Sequence, residues 1–97
     1  MKEIKINGDT VSPEAVTDAI KEVTYTKLGK KITVCHITLV NGYELIGMSG
    51  VVNPDNYNAE IGNPIAYKKA EDKVWEHLGT ILQNQNAAYA EWKDRNN

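Results

Sequence analysis

The dipeptide Asn41-Gly42 constrains the fold more than any other feature of this sequence, because it separates two runs rich in β-branched and aromatic residues. Asn-Gly readily supplies the two positive φ angles of a type I′ turn. The sequence therefore predicts a β-hairpin, with one strand over residues 32–40 and its partner over residues 43–52.

A two-residue turn also fixes which strand residues face each other. The predicted pairs are Val40 with Tyr43, Ile37 with Ile46, and Cys35 with Met48. One face of the hairpin, expected to be core, then carries Cys35, Ile37, Leu39, Ile46 and Met48. The other face is mixed, and we expect it to meet a partner; it carries Val34, His36, Thr38, Val40, Tyr43, Leu45, Gly47 and Ser49.

Shorter elements are predicted before the hairpin. Residues 2–6 alternate charged and apolar side chains, as in a short edge strand. Ser12 followed by Pro13 is a strong helix start, and the helix is expected to run to about residue 22. Its predicted apolar face is Val16, Ala19, Ile20 and Val23. Residues 23–28, rich in β-branched and aromatic side chains, predict a further strand.

A long amphipathic helix is predicted from Asn63-Pro64, which repeats the pattern of a cap followed by proline. Its apolar stripe is Ala66, Ala70, Val74, Leu78 and Ile81, with Trp75 and Leu82 at the edges. The tail from Gln83, with Tyr89 and Trp92, predicts a further helix that packs back or meets a neighbouring subunit. The whole chain, 1–97, is therefore expected to be one α+β domain, an antiparallel sheet packed by a long C-terminal helix and preceded by a short N-terminal helix.

Charge and composition exclude several classes of protein. The 97 residues carry a net charge of −2 and a single arginine, which argues against binding to long nucleic acid. The lone Cys35 has no partner for an internal disulfide, which points to a reducing, cytosolic setting. The sequence has neither the apolar run of a membrane span nor the start of a signal peptide, so no membrane association is expected.

The residues that could do chemistry do not form a recognisable catalytic or metal site. Cys35 and His36 are adjacent on a strand and point to opposite faces, so they cannot act as a nucleophile and base. Spacing does not assemble Ser49, His36 and His77 into a triad, and no metal-ligand pattern occurs. We therefore expect a protein that is not an enzyme and that uses no cofactor and no metal.

One feature favours binding of a small anion. Helix N-termini attract anions, and Gly62-Asn63-Pro64 is the predicted start of the long helix. The flanking residues offer stacking and hydrogen-bonding groups, and the full candidate set is Tyr57, Asn58, Gly62, Asn63, Tyr67, Lys68 and, in the hairpin, His36. An ordinary capped helix start explains the same residues and is the favoured interpretation, because nearly every helix has such an end. The turn lysines Lys27, Lys30 and Lys31 could also attract a small anion.

An ordered set of short motifs resembles a known family. These are "TLVNG" at 38–42, "GMS" at 47–49, "NPDNYNAEIG" at 53–62, "IAY" at 65–67, "VW" at 74–75 and "LG" at 78–79. Over about residues 32–82 the chain is similar to the small proteins of tailed phages grouped under the gene-49 and gene-66 products. It departs from that pattern with Gly50-Val51 in place of Ala-Cys, and with Glu76-His77 in place of a more apolar pair.

The resemblance implies a non-structural phage accessory protein in the cytoplasm of an infected bacterium. By analogy with other small phage proteins, we expect a non-enzymatic homo-oligomer that counters host defence by sequestering a small anionic nucleotide, such as a cyclic dinucleotide. The alternative is an inhibitor that grips a host enzyme or defence complex, with Tyr89 and Trp92 in the contact.

Overall fold

The computed structural model describes residues 1–96. Its elements are helix α1 (Pro13–Ala19), strands β1 (Ile20–Leu28), β2 (Ile32–Leu39) and β3 (Glu44–Gly50), and helix α2 (Ala59–Arg95). A 3-10 turn, Pro54–Asn56, connects β3 to α2. The strands form one antiparallel sheet in the order β1-β2-β3. This arrangement confirms the predicted α+β class.

The core lies between α2 and one face of the sheet. Helix α2 packs on β3 and β2, and α1 packs beside the start of β1. Gly47 allows the helix to approach the sheet closely. A Cβ at this position would overlap the Ala66 carbonyl oxygen and the Ala70 nitrogen of α2. The buried apolar residues are Ile6, Val16, Ala19, Cys35, Ile37, Leu39, Ala66, Ala70, Val74, Leu78 and Leu82.

The N-terminal segment does not form the edge strand predicted for residues 2–6. The Lys2 N–H donates to the Val40 carbonyl oxygen at 2.9 Å, beside the hairpin turn. The Ile6 backbone exchanges two hydrogen bonds with the Gln85 side chain, at 2.8 and 2.9 Å. The segment is thus tied to a turn and a helix, and alternation over five residues was too weak a signal to exclude that.

The boundary between α1 and β1 lies three residues earlier than predicted. Ser12 caps α1 as expected, since its Oγ accepts a hydrogen bond from the Ala15 N–H at 3.1 Å. However, Ile20 and Val23, interpreted as part of the helix's apolar face, are paired with Leu39 and Ile37 in the sheet. Pairing with β2 outweighs the helical spacing, and β-branched side chains favour the strand.

The hairpin loop contains three residues, 40–42, and not two. The Leu39 N–H donates to the Tyr43 carbonyl at 2.8 Å, and the Gly42 N–H donates to the Leu39 carbonyl at 2.9 Å. Gly42 has a φ of 89°, whereas Asn41 has a negative φ. This is a type I turn followed by a glycine bulge, in which only the glycine needs the left-handed conformation.

The extra loop residue shifts the register by one, so Cys35 faces Gly47 and Ile37 faces Leu45. A shift of one residue exchanges the two faces of a strand. Ile46 and Met48, predicted to be core, are therefore exposed, and Leu45, Gly47 and Ser49 lie on the face covered by α2. The strands also end earlier than predicted, at Leu39 and Gly50. The predictions for β2 were right about its buried side, Cys35, Ile37 and Leu39.

Helix α2 begins at Ala59, five residues before the predicted start. Asn58 is its N-cap, and the Asn58 Oδ1 accepts a hydrogen bond from the Glu60 N–H at 2.9 Å. Pro64 lies inside the helix, where its missing N–H leaves one backbone bond unmade. The tail predicted as a separate helix is the continuation of α2 to Arg95.

Within residues 1–96, two parts have no layer packed on them. The first is the sheet face opposite α2, whose apolar side chains are Leu28, Ile32, Val34, Ile46 and Met48; we call these five residues the open face. The second is the end of α2, residues 86–95, which we call the arm; every residue in it is exposed. The arm makes the molecule long, with extents of 65 × 23 × 20 Å. Within residues 1–96, no helix combines the length and the hydropathy that a membrane crossing requires.

Candidate functional site

Three of the seven predicted site residues, Tyr57, Asn58 and Gly62, meet at one end of the molecule. Gly29, with a φ of 68°, lies where the chain reverses between β1 and β2, and Lys27 and Lys31 at this turn lie beside the segment that precedes α2. The Lys27 Nζ lies 4.3 Å from the centroid of the Tyr57 ring, which is a cation–π contact. We call Lys27, Lys30, Lys31, Tyr57 and Ile61 the lysine tip.

The tip is held by a small set of hydrogen bonds between the sheet and the start of α2. The Thr33 Oγ1 donates to the Tyr57 hydroxyl at 3.3 Å, and the Ser49 Oγ donates to the Gly62 carbonyl at 2.8 Å. A Cβ on Gly62 would lie 2.7 Å from the Thr33 Oγ1, so the helix could not approach so closely with a larger residue. Gly62 therefore has a packing role in this structure.

The cavity at the tip has a volume of about 50 Å³. Its lining includes Lys31, Thr33, Ser49, Tyr57, Ile61 and Gly62. A water molecule occupies roughly 30 Å³ in the liquid, and sites for small organic ligands are roughly 300–1,000 Å³. The cavity can therefore hold one or two waters, and a nucleotide at this end would have to lie on the surface.

The remaining α2 candidates lie away from the tip. Asn63 is half-buried within the helix and does not start it. Lys68 is exposed and paired with Asp72, with 2.6 Å between the Nζ and Oδ1; this bond raises the pKa of Lys68. Tyr67 is half-buried beside β1, where burial and a hydrogen bond to the Glu71 carboxylate raise its pKa to about 12. Tyr67 is thus a neutral hydrogen-bonding group at physiological pH.

His36 lies on the other side of the sheet. Its Nε2 is 2.8 Å from the Glu44 Oε1. Its cross-strand neighbour is Ile46, whereas the predicted two-residue turn would place His36 opposite Gly47. Because α2 packs on the opposite face, the His36 imidazole cannot share a ligand with Tyr57 or Tyr67 of the same protomer. The predicted set of seven residues is therefore divided among three places.

The thiol of Cys35 is inaccessible. Cys35 is buried, and burial raises the pKa of its thiol, an effect larger than the opposing one of its hydrogen bond with Tyr25. A nucleophilic cysteine needs an exposed thiolate. Among the residues that the structure describes, no group of three or more metal-binding side chains is placed to hold an ion.

Sequence reasoning missed a second polar group, beside the hairpin. The Tyr43 and His77 rings stack with 4.0 Å between their centroids. They line an open cavity of about 330 Å³ together with Lys73 and Glu76. The Lys73 Nζ donates to the Ile46 carbonyl at 2.7 Å, at the free edge of β3. No local pattern links Tyr43 to His77, because their contact depends on the register of the hairpin under α2.

Comparison with known proteins gives one match. Residues 11–86 match the model of the family described as "Phage protein (N4 Gp49/phage Sf6 gene 66) family". The match includes α1, the whole sheet and α2 as far as Asn86, where the arm begins. Neither the curated proteins nor the solved structures contain a significant match to the chain.

Proposed function

This chain belongs to the phage protein family of N4 Gp49 and phage Sf6 gene 66, and we propose that it acts by binding an anionic partner at the lysine tip and not by catalysis. The observation that carries the proposal is the convergence of Lys27 and Lys31 with the Tyr57 ring at one end of the molecule. Clustered ammonium groups beside a ring attract anions and give them a stacking surface.

The proposed role is defence against the bacterial host, in the cytoplasm of the infected cell. The ligand we favour is a small anionic nucleotide that signals infection. Its phosphates would meet Lys27, Lys31 and Asn58, and its base would stack on the exposed part of Tyr57. Since the tip cavity has room only for water, the nucleotide would lie on the surface of one protomer or between two.

Calorimetry with a panel of cyclic dinucleotides and related signals tests this proposal. We expect one member to bind, the double variant Lys27→Gln/Lys31→Gln to weaken it at least tenfold, and Lys69→Gln, which removes an exposed lysine from α2, to leave it unchanged. Equal weakening by both variants would mean a general effect of charge. No heat from any member of the panel would exclude the nucleotide.

The second candidate is an inhibitor that binds an acidic surface of a host protein. Apolar groups near the lysines favour it, because Ile61 is 62% exposed and Val52, just after β3, is 93% exposed. Interfaces between proteins combine such apolar contacts with charge complementarity. Cross-linking in host lysate should capture one stoichiometric protein with the native chain, and Val52→Asp should abolish the capture while the Lys69→Gln control retains it.

A further inference from the structure

The chain exposes more surface than a compact monomer of its size. Its accessible area is 6865 Å², whereas a monomer of 10.8 kDa exposes about 5,500 Å². The radius of gyration is 17.3 Å, against about 12.5 Å for a compact domain of 97 residues. The excess area is about 1,300 Å², and one partner in a standard protein interface buries about 800 Å². The excess is therefore large enough for a stable dimer.

The arm accounts for the extended shape and has an apolar stripe that is exposed in the part of the chain that the structure describes. Tyr89 and Trp92 are 62% and 59% exposed and stack on each other with 6.1 Å between ring centroids. They follow Leu82 and Gln85 by seven residues each, so they continue the face of α2 that packs against the sheet. Isolated helices of this length are marginal in water. A packing partner for this stripe would therefore stabilise the arm.

The open face has the opposite deficiency, since it is an apolar sheet surface without a helix. Its apolar side chains lie beside one another across the strands, since Ile32 pairs with Leu28 and Val34 pairs with Met48. Ile46 follows on the same face, where it pairs with His36. Leu28 is 56% exposed and Met48 is 48% exposed. A sheet that is apolar on both faces is normally covered on both. The same chain thus has a sheet face that lacks a helix and a helix that lacks a sheet.

We propose that two copies of this chain form a twofold dimer in which the arm of each lies on the open face of the other. The arm's stripe faces the same way as the buried face of α2, toward the side of the sheet, and the open face points in this same direction. A twofold axis between the two bodies therefore places one arm above the partner's sheet and the second arm below the first sheet. Both contacts are identical, and the assembly closes.

The dimensions agree with this arrangement. The ten residues of the arm are about 15 Å long, and the seven residues of β3 span about 24 Å, so one arm lies within one open face. An arm cannot reach the open face of its own chain, because it continues the helix that packs on the other side of the sheet. The proposal uses no residue of the lysine tip and is independent of the proposed function.

The first experiment measures molar mass by light scattering during gel filtration. The native chain should give twice 10.8 kDa at about 100 μM. The arm variant Tyr89→Ala/Trp92→Ala and the face variant Met48→Glu should each give the monomer mass. Ala90→Ser, on the side of the arm away from the stripe, should remain dimeric. Circular dichroism of each variant checks that the fold is retained.

Mixing the two monomeric variants separates arm exchange from other dimers. In a mixed pair, the native arm of the face variant can lie on the native open face of the arm variant. The pair should therefore form a heterodimer with an affinity at least tenfold weaker than that of the native dimer. If dimers formed by pairing arm with arm, or face with face, every mixed pair would contain one mutated surface in that contact. The mixture would then remain monomeric. That outcome, or a native chain that is monomeric at 100 μM, overturns the proposal; in the latter case these surfaces would be free for a different protein.

Discussion

The two ends of helix α2 have similar secondary structure and very different surroundings. In the first part, Ala66, Ala70, Val74 and Leu78 are all fully buried against the sheet. In the arm, every side chain is exposed, including two aromatic ones. The comparison shows that tertiary packing stabilises the first part, whereas the arm has contacts within its own helix: backbone hydrogen bonds, the stack of Tyr89 on Trp92 and the Glu91–Arg95 ion pair.

Small residues make the packed part possible. Gly47 of β3 allows the backbone of α2 to approach the sheet, and Gly62 of α2 does the same beside Thr33. The hydroxyl of Ser49 adds a hydrogen bond to the helix backbone at the same end. The "GMS" and "NPDNYNAEIG" motifs therefore contribute to the joint between helix and sheet as well as to the lysine tip.

The largest expected effect is at this joint. Gly47→Ala places a Cβ within the α2 backbone, which must move, and we expect a loss of about 3 kcal/mol or more in the free energy of unfolding. Gly79→Ala is the matched control, because a Cβ there meets nothing within 4 Å. In a helix interior this change should stabilise by about 0.5–1 kcal/mol. Urea unfolding measures the change in stability of both variants. Equal small changes would show that the backbone of α2 has room for a Cβ at Gly47.

The sequence was sufficient for the order and type of the main elements, since Asn41-Gly42, Ser12 and the spacing of Ala66 to Leu78 are strong local signals. It was insufficient for the register. The same Asn-Gly fits a two-residue or a three-residue loop, and the choice changes which face of β3 is buried. Gly47 could have decided it, because a strand glycine often marks close approach of another backbone.

The candidate site shows the same limit. Tyr57, Asn58 and Gly62 lie together because they are neighbours in the chain around the true N-cap. Moving the start of α2 from residue 64 to 59 lengthens the helix by about 7.5 Å, so the predicted N-terminal site does not include Tyr67 and Lys68. The contact of Lys27 with Tyr57 depends on long-range packing, which local spacing does not encode.

A pair of truncations sharpens the contrast along α2. Leu78→Ala leaves a cavity in the core and should lower the free energy of unfolding by about 2–4 kcal/mol at any protein concentration. Tyr89→Ala should lower the free energy of unfolding by less than about 0.5 kcal/mol in dilute solution, because Tyr89 is mostly exposed in the protomer. If the arms pack in a dimer, the cost of Tyr89→Ala rises with protein concentration, and the cost of Leu78→Ala does not. Equal, concentration-independent costs would contradict the contrast.

A smaller effect than that of Leu78→Ala is expected at the margin of the packed part, where Tyr67 lies half-buried beside β1. Its pKa is raised from 10.0 to about 12, so the folded state favours the neutral phenol. Between those two values the unfolded chain releases the proton and the folded chain keeps it, and stability contributed by the neutral phenol is lost as the pH rises through this window. From pH 9 to pH 11 the native chain should lose about 1 kcal/mol more stability than Tyr67→Phe, which has no proton to release. Lysine titration is common to both proteins and cancels in the comparison. Urea unfolding at the two pH values measures the difference, and parallel losses would show that Tyr67 titrates in the folded chain as it does in water.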